Sequence, residues 1–211
     1  MLDVSYNKMK KIITIGIIFL SFINISCDED KKHIKPKNIY NPSSEITQEI
    51  KNIKAASLFE ISKGFYENRN YNQAINILNS ALNIEKNPII YNELGIVNTT
   101  IGNNDEAINY HKIGQIIDST YYPNFINEAS IQMKLGRIDI AELTLTKMIK
   151  NCQSVYWKAH ANFYLAVLYF NNGRQCDKSK KYLLKAKTVK NDLNLKKIYE
   201  KFENTVENYC S

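Results

Sequence analysis

Small side chains recur along this chain in registers that drift together, and this pattern leaves few folds open. Ser62, Gly95, Ala129 and Ala166 are spaced by 33, 34 and 37 residues. Ala74, Ala107, Ala141 and Ser179 follow at 33, 34 and 38, and Ala81, Gly114, Met148 and Ala186 keep the same intervals. Between the first two registers stands a turn: Asn68-Arg69-Asn70, Gly102-Asn103-Asn104, Gly136-Arg137 and Gly173-Arg174. A period of this length means stacked copies of one supersecondary unit. Each copy reads as two helices of about a dozen residues, joined by a turn whose backbone Gly and Asn permit. Small residues let the two helix axes approach where they cross. Phe65, Leu78, Leu94, Ile108, Leu145, Leu165, Tyr169 and Leu183 fill the remaining holes. One hairpin cannot bury its apolar faces alone, so the copies must stack. Seven Gly and four Pro in 211 residues disfavour a turn-rich β fold.

Leu94-Gly95, Gly102-Asn103 and Glu106-Ala107-Ile108 in the second copy resemble the tetratricopeptide repeat. So do Tyr71-Asn72-Gln73-Ala74-Ile75, Ala81-Leu82 and Pro88 around the first. The resemblance implies an all-α fold, a right-handed superhelical array of about four antiparallel helix hairpins. The hairpins are expected over 55–87, 88–121, 122–155 and 159–190, within a repeat region of 45–191. The third carries Glu128 where the family has Leu, and the fourth has one extra residue before Ser179. In the last segment Leu193, Leu195, Ile198, Phe202 and Val206 form one stripe, with Lys196, Lys197, Glu200 and Glu203 opposite. That pattern predicts a polar-backed capping helix over 192–211. Residues 45–54 are expected to extend the first helix.

The beginning of the chain reads as an address. Lys8, Lys10 and Lys11 precede an apolar run from Ile12 to Phe22, and Cys27 follows Ser26. The run is shorter than the roughly 20 residues that span a bilayer, and has the layout of a secretory signal. Ser26-Cys27 resembles the lipobox of bacterial lipoproteins, which implies lipidation of Cys27 and a signal peptide over 1–27. Asn24 and Ile25 depart from that pattern, and Met9 is an alternative start. Asp28-Glu29-Asp30 reads either as a surface-export signal or as part of a solvated linker. Residues 28–44 are polar and proline-broken, a flexible tether. The expected location is the bacterial cell envelope, as an outer-membrane lipoprotein.

No catalytic, cofactor-binding or metal-binding pattern emerges from the sequence. His33, His111 and His160 are scattered, none at helical spacing from another His or beside a Cys. His111 falls where the repeat packs an aromatic ring. Glu106 and Glu142 are expected on helix surfaces. The formal charge is +7, and the chain after Cys27 keeps 25 basic and 20 acidic residues. Lys178, Lys180, Lys181, Lys185, Lys187, Lys190, Lys196, Lys197 and Lys201 lie close together near the C-terminus. They read as a solvated face, or one attracted to anionic lipid headgroups or an acidic partner, and not as a nucleic-acid surface. Outside the cytoplasm a disulfide is permitted. The capping helix should run antiparallel to its neighbour and return Cys210 to Cys176, while Cys152 lies one helix length away, roughly 18 Å. Any bridge is therefore expected between Cys176 and Cys210, the alternative being free thiols.

The resemblance also implies where a protein or peptide partner would lie, along the concave surface lined by the first helix of each hairpin. By register those positions are Phe59, Lys63, Asn92, Ile96, Ile126, Ser130, Phe163 and Val167. The expected function is a non-catalytic, lipid-anchored adaptor, attached to the membrane through its N-terminal lipid. The alternative is a small-ligand or glycan-binding lipoprotein of an outer-membrane uptake system. That alternative needs an aromatic platform, for which Tyr121, Tyr122, Tyr156 and Trp157 are the candidates.

Overall fold

The computed structural model describes residues 49–211, so the expected signal segment, Cys27 and the tether lie outside the described residues. Within them the chain is all-helical, with no strand: α1 (Ile53–Glu67), α2 (Tyr71–Ile84), α3 (Pro88–Thr100), α4 (Asn104–Ile117), α5 (Pro123–Lys134), α6 (Ile138–Asn151), α7 (Val155–Asn171), α8 (Cys176–Lys185) and α9 (Leu193–Tyr209). A 3-10 turn, Lys187–Asn191, stands between α8 and α9. This is the all-α helical-hairpin class expected from the spacing. The chain forms two compact units, 49–131 and Gln132–Ser211.

The hairpin turns show why the spacing is what it is. After α1, Arg69 N–H donates to Tyr66 O at 2.9 Å and Asn70 N–H to Phe65 O at 2.8 Å. Gly102 and Asn103 repeat this pair on Thr99 and Asn98, and Gly136 and Arg137 repeat it on Met133 and Gln132. This nested pair is the Schellman motif, which requires a left-handed residue just past the helix. Gly102 (φ 89°) and Gly136 (φ 72°) occupy that position, and so does Arg69 (φ 60°). The fourth turn holds two such residues, Gly173 (φ 72°) and Arg174 (φ 53°), and its closing bond runs one residue further, from Gln175 N–H to Tyr169 O. The extra residue is thus absorbed in the turn. Ser179 stays in register, its hydroxyl donating to Ala166 O at 3.0 Å across the helix crossing.

Two expectations about helix ends are corrected. The first helix does not reach back toward residue 45. Asn52 caps it, accepting from the N–H groups of Lys54 and Ala55, and the Glu85 carboxylate takes the N–H groups of Lys51 and Asn52. Those bonds hold residues 51 and 52 outside the helix. In the fourth hairpin α8 stops at Lys185, and the chain continues to Asn191 as the tighter turn. Asp192 then caps α9, its carboxylate accepting from Leu195 N–H at 3.3 Å.

In the first unit Phe59, Ala74, Leu78, Ala81, Leu82, Ile90, Tyr91, Leu94 and Val97 form the core between α1, α2 and α3. The small positions are used for close approach. A Cβ on Gly95 would enter the His111 ring, and one on Gly114 would enter the Asn124 side chain. Asn124 is fully buried and ties three helices. Its Oδ1 pairs with His111 Nδ1 at 3.1 Å, and its Nδ2 donates to Pro88 O at 3.1 Å. Gly114→Ala is therefore expected to destabilise the protein by about 2–3 kcal/mol, because overpacking is compounded by a displaced buried amide. Urea denaturation should show the midpoint falling; an unchanged midpoint would refute the packing described. Gly64→Ala, where a Cβ meets nothing, is the control.

In the second unit α7 buries 13 of its 17 residues, so it is the central element. The C-terminal helix covers it through aromatic edges: Phe202 lies 5.7 Å from Phe163 and 5.6 Å from Phe170, and Tyr209 lies 5.7 Å from Phe170. Tyr199 donates to Leu183 O at 2.7 Å, and Tyr156 donates to Asp192 at 2.8 Å. Cys176 and Cys210 are joined in a disulfide with Cα atoms 5.6 Å apart, and Cys152 is a buried free thiol. Glu142 is not simply a surface residue, because it accepts the Tyr169 hydroxyl.

Candidate partner-binding face

In the first unit α3 is buried differently from α1, α2 and α4, and α1 buries only Ala55, Phe59, Ser62 and Lys63. α2 and α4 each bury one stripe of four residues, Ala74, Leu78, Ala81 and Leu82 on one, Ala107, Ile108, His111 and Gly114 on the other. α3 buries 10 of its 13 residues, among them Asn92, Glu93 and Asn98. A helix enclosed nearly all round is ordinarily apolar all round. This one carries polar residues on the side of Asn92 and Glu93, and Asn98 on the opposite side.

The neighbours of the Asn92 and Glu93 side are polar too. On α1, Lys63 lays its ammonium 4.4 Å from the Phe59 ring centre and 3.0 Å from the Glu60 carboxylate. On α3, Asn92 Oδ1 accepts from Asn127 Nδ2 of α5 at 2.9 Å. Asn98 turns back to its own helix, donating to Leu94 O. Glu128, which stands where an apolar residue was expected, is buried because Gln115 donates to it at 2.6 Å and Lys112 lies 3.8 Å away. Glu93 has no hydrogen bond among the described residues. Burial pushes its carboxyl up to about 7, against the pull of the Lys63 charge and with a further push from Glu60. Burial first, and the Glu93 charge second, push the Tyr121 hydroxyl well above its ordinary range.

Of the eight residues expected to line a partner groove, Phe59, Lys63, Asn92, Ile96, Ile126 and Ser130 lie in the first unit, on α1, α3 and α5. Phe163 and Val167 lie in the second, on α7. All eight are buried, between 2 % and 8 % exposed. Phe163 has an evident reason for burial, since Tyr199 and Phe202 pack on it. The tyrosines and tryptophan considered as a glycan platform are packed as well. Tyr121, Tyr122 and Trp157 are buried, and Tyr156 packs its ring on Trp157 at 5.2 Å and on His160 at 4.3 Å. The residues that sequence reasoning missed are Glu93 and Asn127. Glu93 adjoins the expected Asn92, but nothing in its own neighbourhood marks it as buried.

Among the described residues no group of three His, Cys, Asp or Glu side chains could hold a metal ion, and no helix is long and apolar enough to cross a membrane. No family model matches the chain, and no curated protein matches it. Solved structures do. A crystal structure of the MamA protein superposes with a TM-score of 0.55 at 20% identity, covering 74% of this chain and 87% of that one. A second MamA crystal structure gives 0.54 at 20% identity over 63% of this chain and 75% of that one. The MamA RS-1 ArsTM double mutant gives 0.53 at 17% identity over 76% and 98%. The likeness is one of fold. At this identity it carries the hairpin architecture to this chain, and neither a ligand nor a residue's role.

Proposed function

We propose that this protein is a non-catalytic, lipid-anchored adaptor of the bacterial cell envelope, which holds another protein or peptide along the first helices of its hairpins. The observation that supports the reading most directly is the buried polar side of α3. Asn92 and Glu93, with Lys63 and Asn127 beside them, place amide, carboxylate and ammonium groups where a core would have leucines. Such groups suit the backbone amides and side chains of an extended or helical peptide. The anchor rests on Ser26-Cys27 after a short apolar run, and the proline-broken segment after it serves as the tether.

Two measurements test the two halves of this reading. Wild-type chain, displayed in its own envelope, should retain one specific partner on pull-down. Lys63→Ala/Asn92→Ala should lose it, while Lys147→Ala on the exposed side of α6 keeps it. Equal retention by all three would remove the face from consideration. Metabolic labelling with a fatty acid should mark the wild-type chain and not Cys27→Ala; equal labelling would remove the anchor.

A further inference from the structure

The second unit carries a surface that the adaptor reading does not use. From Cys176 to Asn191 the chain holds six lysines against the single acid Asp177. α8 turns Ser179 and Leu183 inward, and the 3-10 turn buries Val189. Lys178, Lys180, Lys181, Lys185 and Lys187 are all exposed. In their midst stands Leu184, 72% exposed, one of the most open large apolar side chains of the protein.

Several of these lysines are held in place. Lys178 lies 4.7 Å from the Tyr169 ring centre and Lys185 5.1 Å from that of Tyr182. Lys180 donates to Cys210 O at 2.8 Å, which fastens this face to the disulfide. Lys190 pairs with a carboxylate, 2.7 Å from Glu203. No acid is within ion-pair distance of Lys181 or Lys187 among the described residues. Alternating signs of charge mark a helix face that simply meets water; here one sign of charge surrounds an exposed leucine.

We propose that this face docks on an anionic lipid bilayer, with the lysines meeting headgroup phosphates and Leu184 entering the interface between them. Long lysine stems reach past an inserted apolar side chain while their ammonium groups remain at headgroup level. Each lysine near such a surface adds attraction that salt screens, and several together act as one contact. The face is independent of the N-terminal lipid. With the lipid it makes a second attachment, which would hold the second unit against the membrane.

The test is vesicle co-sedimentation of full-length Cys27→Ala chain, which lacks the lipid. Phosphatidylcholine vesicles are compared with vesicles in which roughly a third of the lipid is phosphatidylglycerol. The apolar N-terminal run is common to all variants, so neutral vesicles report its contribution. The expected result is tighter binding to the anionic vesicles, weakened at least about tenfold by Lys181→Glu/Lys185→Glu, reduced by Leu184→Ser, and abolished by about 0.5 M salt. All three positions are exposed, and unchanged helix content by circular dichroism keeps the comparison valid. Equal binding to both kinds of vesicle, or anionic binding untouched by the lysine pair, overturns the proposal. So does full binding by Leu184→Ser combined with displacement by polyglutamate, which would give the face to an acidic protein.

Discussion

Lowering the pH from 7 to 4 should unfold the second unit and spare the first. His160 on α7 is fully buried, and burial pushes its imidazole down to about 3. The unfolded chain takes up that proton near pH 6.5, whereas the folded unit refuses it until about pH 3. The stability is present above pH 6.5 and lost as the pH falls toward 3, about 5 kcal/mol in all. In the first unit two groups oppose each other. Burial pushes His111 down to about 4, Asn124 pulling weakly the other way, and this removes about 3 kcal/mol on acidification. Glu93, pushed up to about 7, works with the opposite sign. Its contribution is full below its unfolded value of 4.5 and lost as the pH rises through 7, again about 3 kcal/mol. Between pH 6.5 and 4.5 the two nearly cancel.

The chain has a single tryptophan, Trp157, and it packs on His160 at 5.2 Å. Its fluorescence should therefore report early acid unfolding of the second unit, while helix content falls only in part. Glu93→Gln should leave the tryptophan transition in place and render the remaining helix acid-labile. A tryptophan signal that is flat from pH 7 to pH 4 would contradict the burial of His160.

Removing the bridge by Cys176→Ser should cost about 2–4 kcal/mol. The loop closed by Cys176 and Cys210 spans 34 positions, and an open loop of that length restores much freedom to the unfolded chain. The native side of the balance suffers as well. The bridge holds the end of α9 where Tyr209 meets Phe170 and where Arg174 stacks 5.1 Å from Tyr209, and fraying there would uncover α7. Thermal unfolding with and without reductant should show the wild-type transition falling to that of Cys176→Ser. Cys152→Ala should keep the reductant sensitivity. A wild-type transition that ignores reductant would mean that the bridge contributes nothing.

Much of the fold is legible in the sequence because its constraints are local. A left-handed residue must follow each first helix, so Gly102, Gly136 and Gly173 announce their turns, and the permissive Asn68 and Asn70 flank Arg69. Small residues must stand at crossings, so Gly95 and Gly114 mark where His111 and Asn124 come close. The start of the first helix is less legible, because the bonds that hold residues 51 and 52 outside it come from Glu85, on the far side of the hairpin. The candidate face is less legible for a related reason. Whether Glu93 or Glu128 is buried depends on partners 13 or more residues away, such as Gln115 and Lys63. Periodicity assigns both to a helix and says nothing about the company they keep. Phe163 shows the converse, a groove position by register that the C-terminal helix covers.

The disulfide also decides how the molecule answers to force. Tension applied across the second unit passes from Cys176 straight to Cys210, so α8, the 3-10 turn and most of α9 hang beside the load path as slack covalent loop. Stretched to rupture, the oxidised chain should come up short of the reduced one by about 120 Å of contour, at roughly 3.5 Å for each bypassed residue. A protein tethered at one end and pulled at the other would thus bear no tension along its lysine-bearing helix.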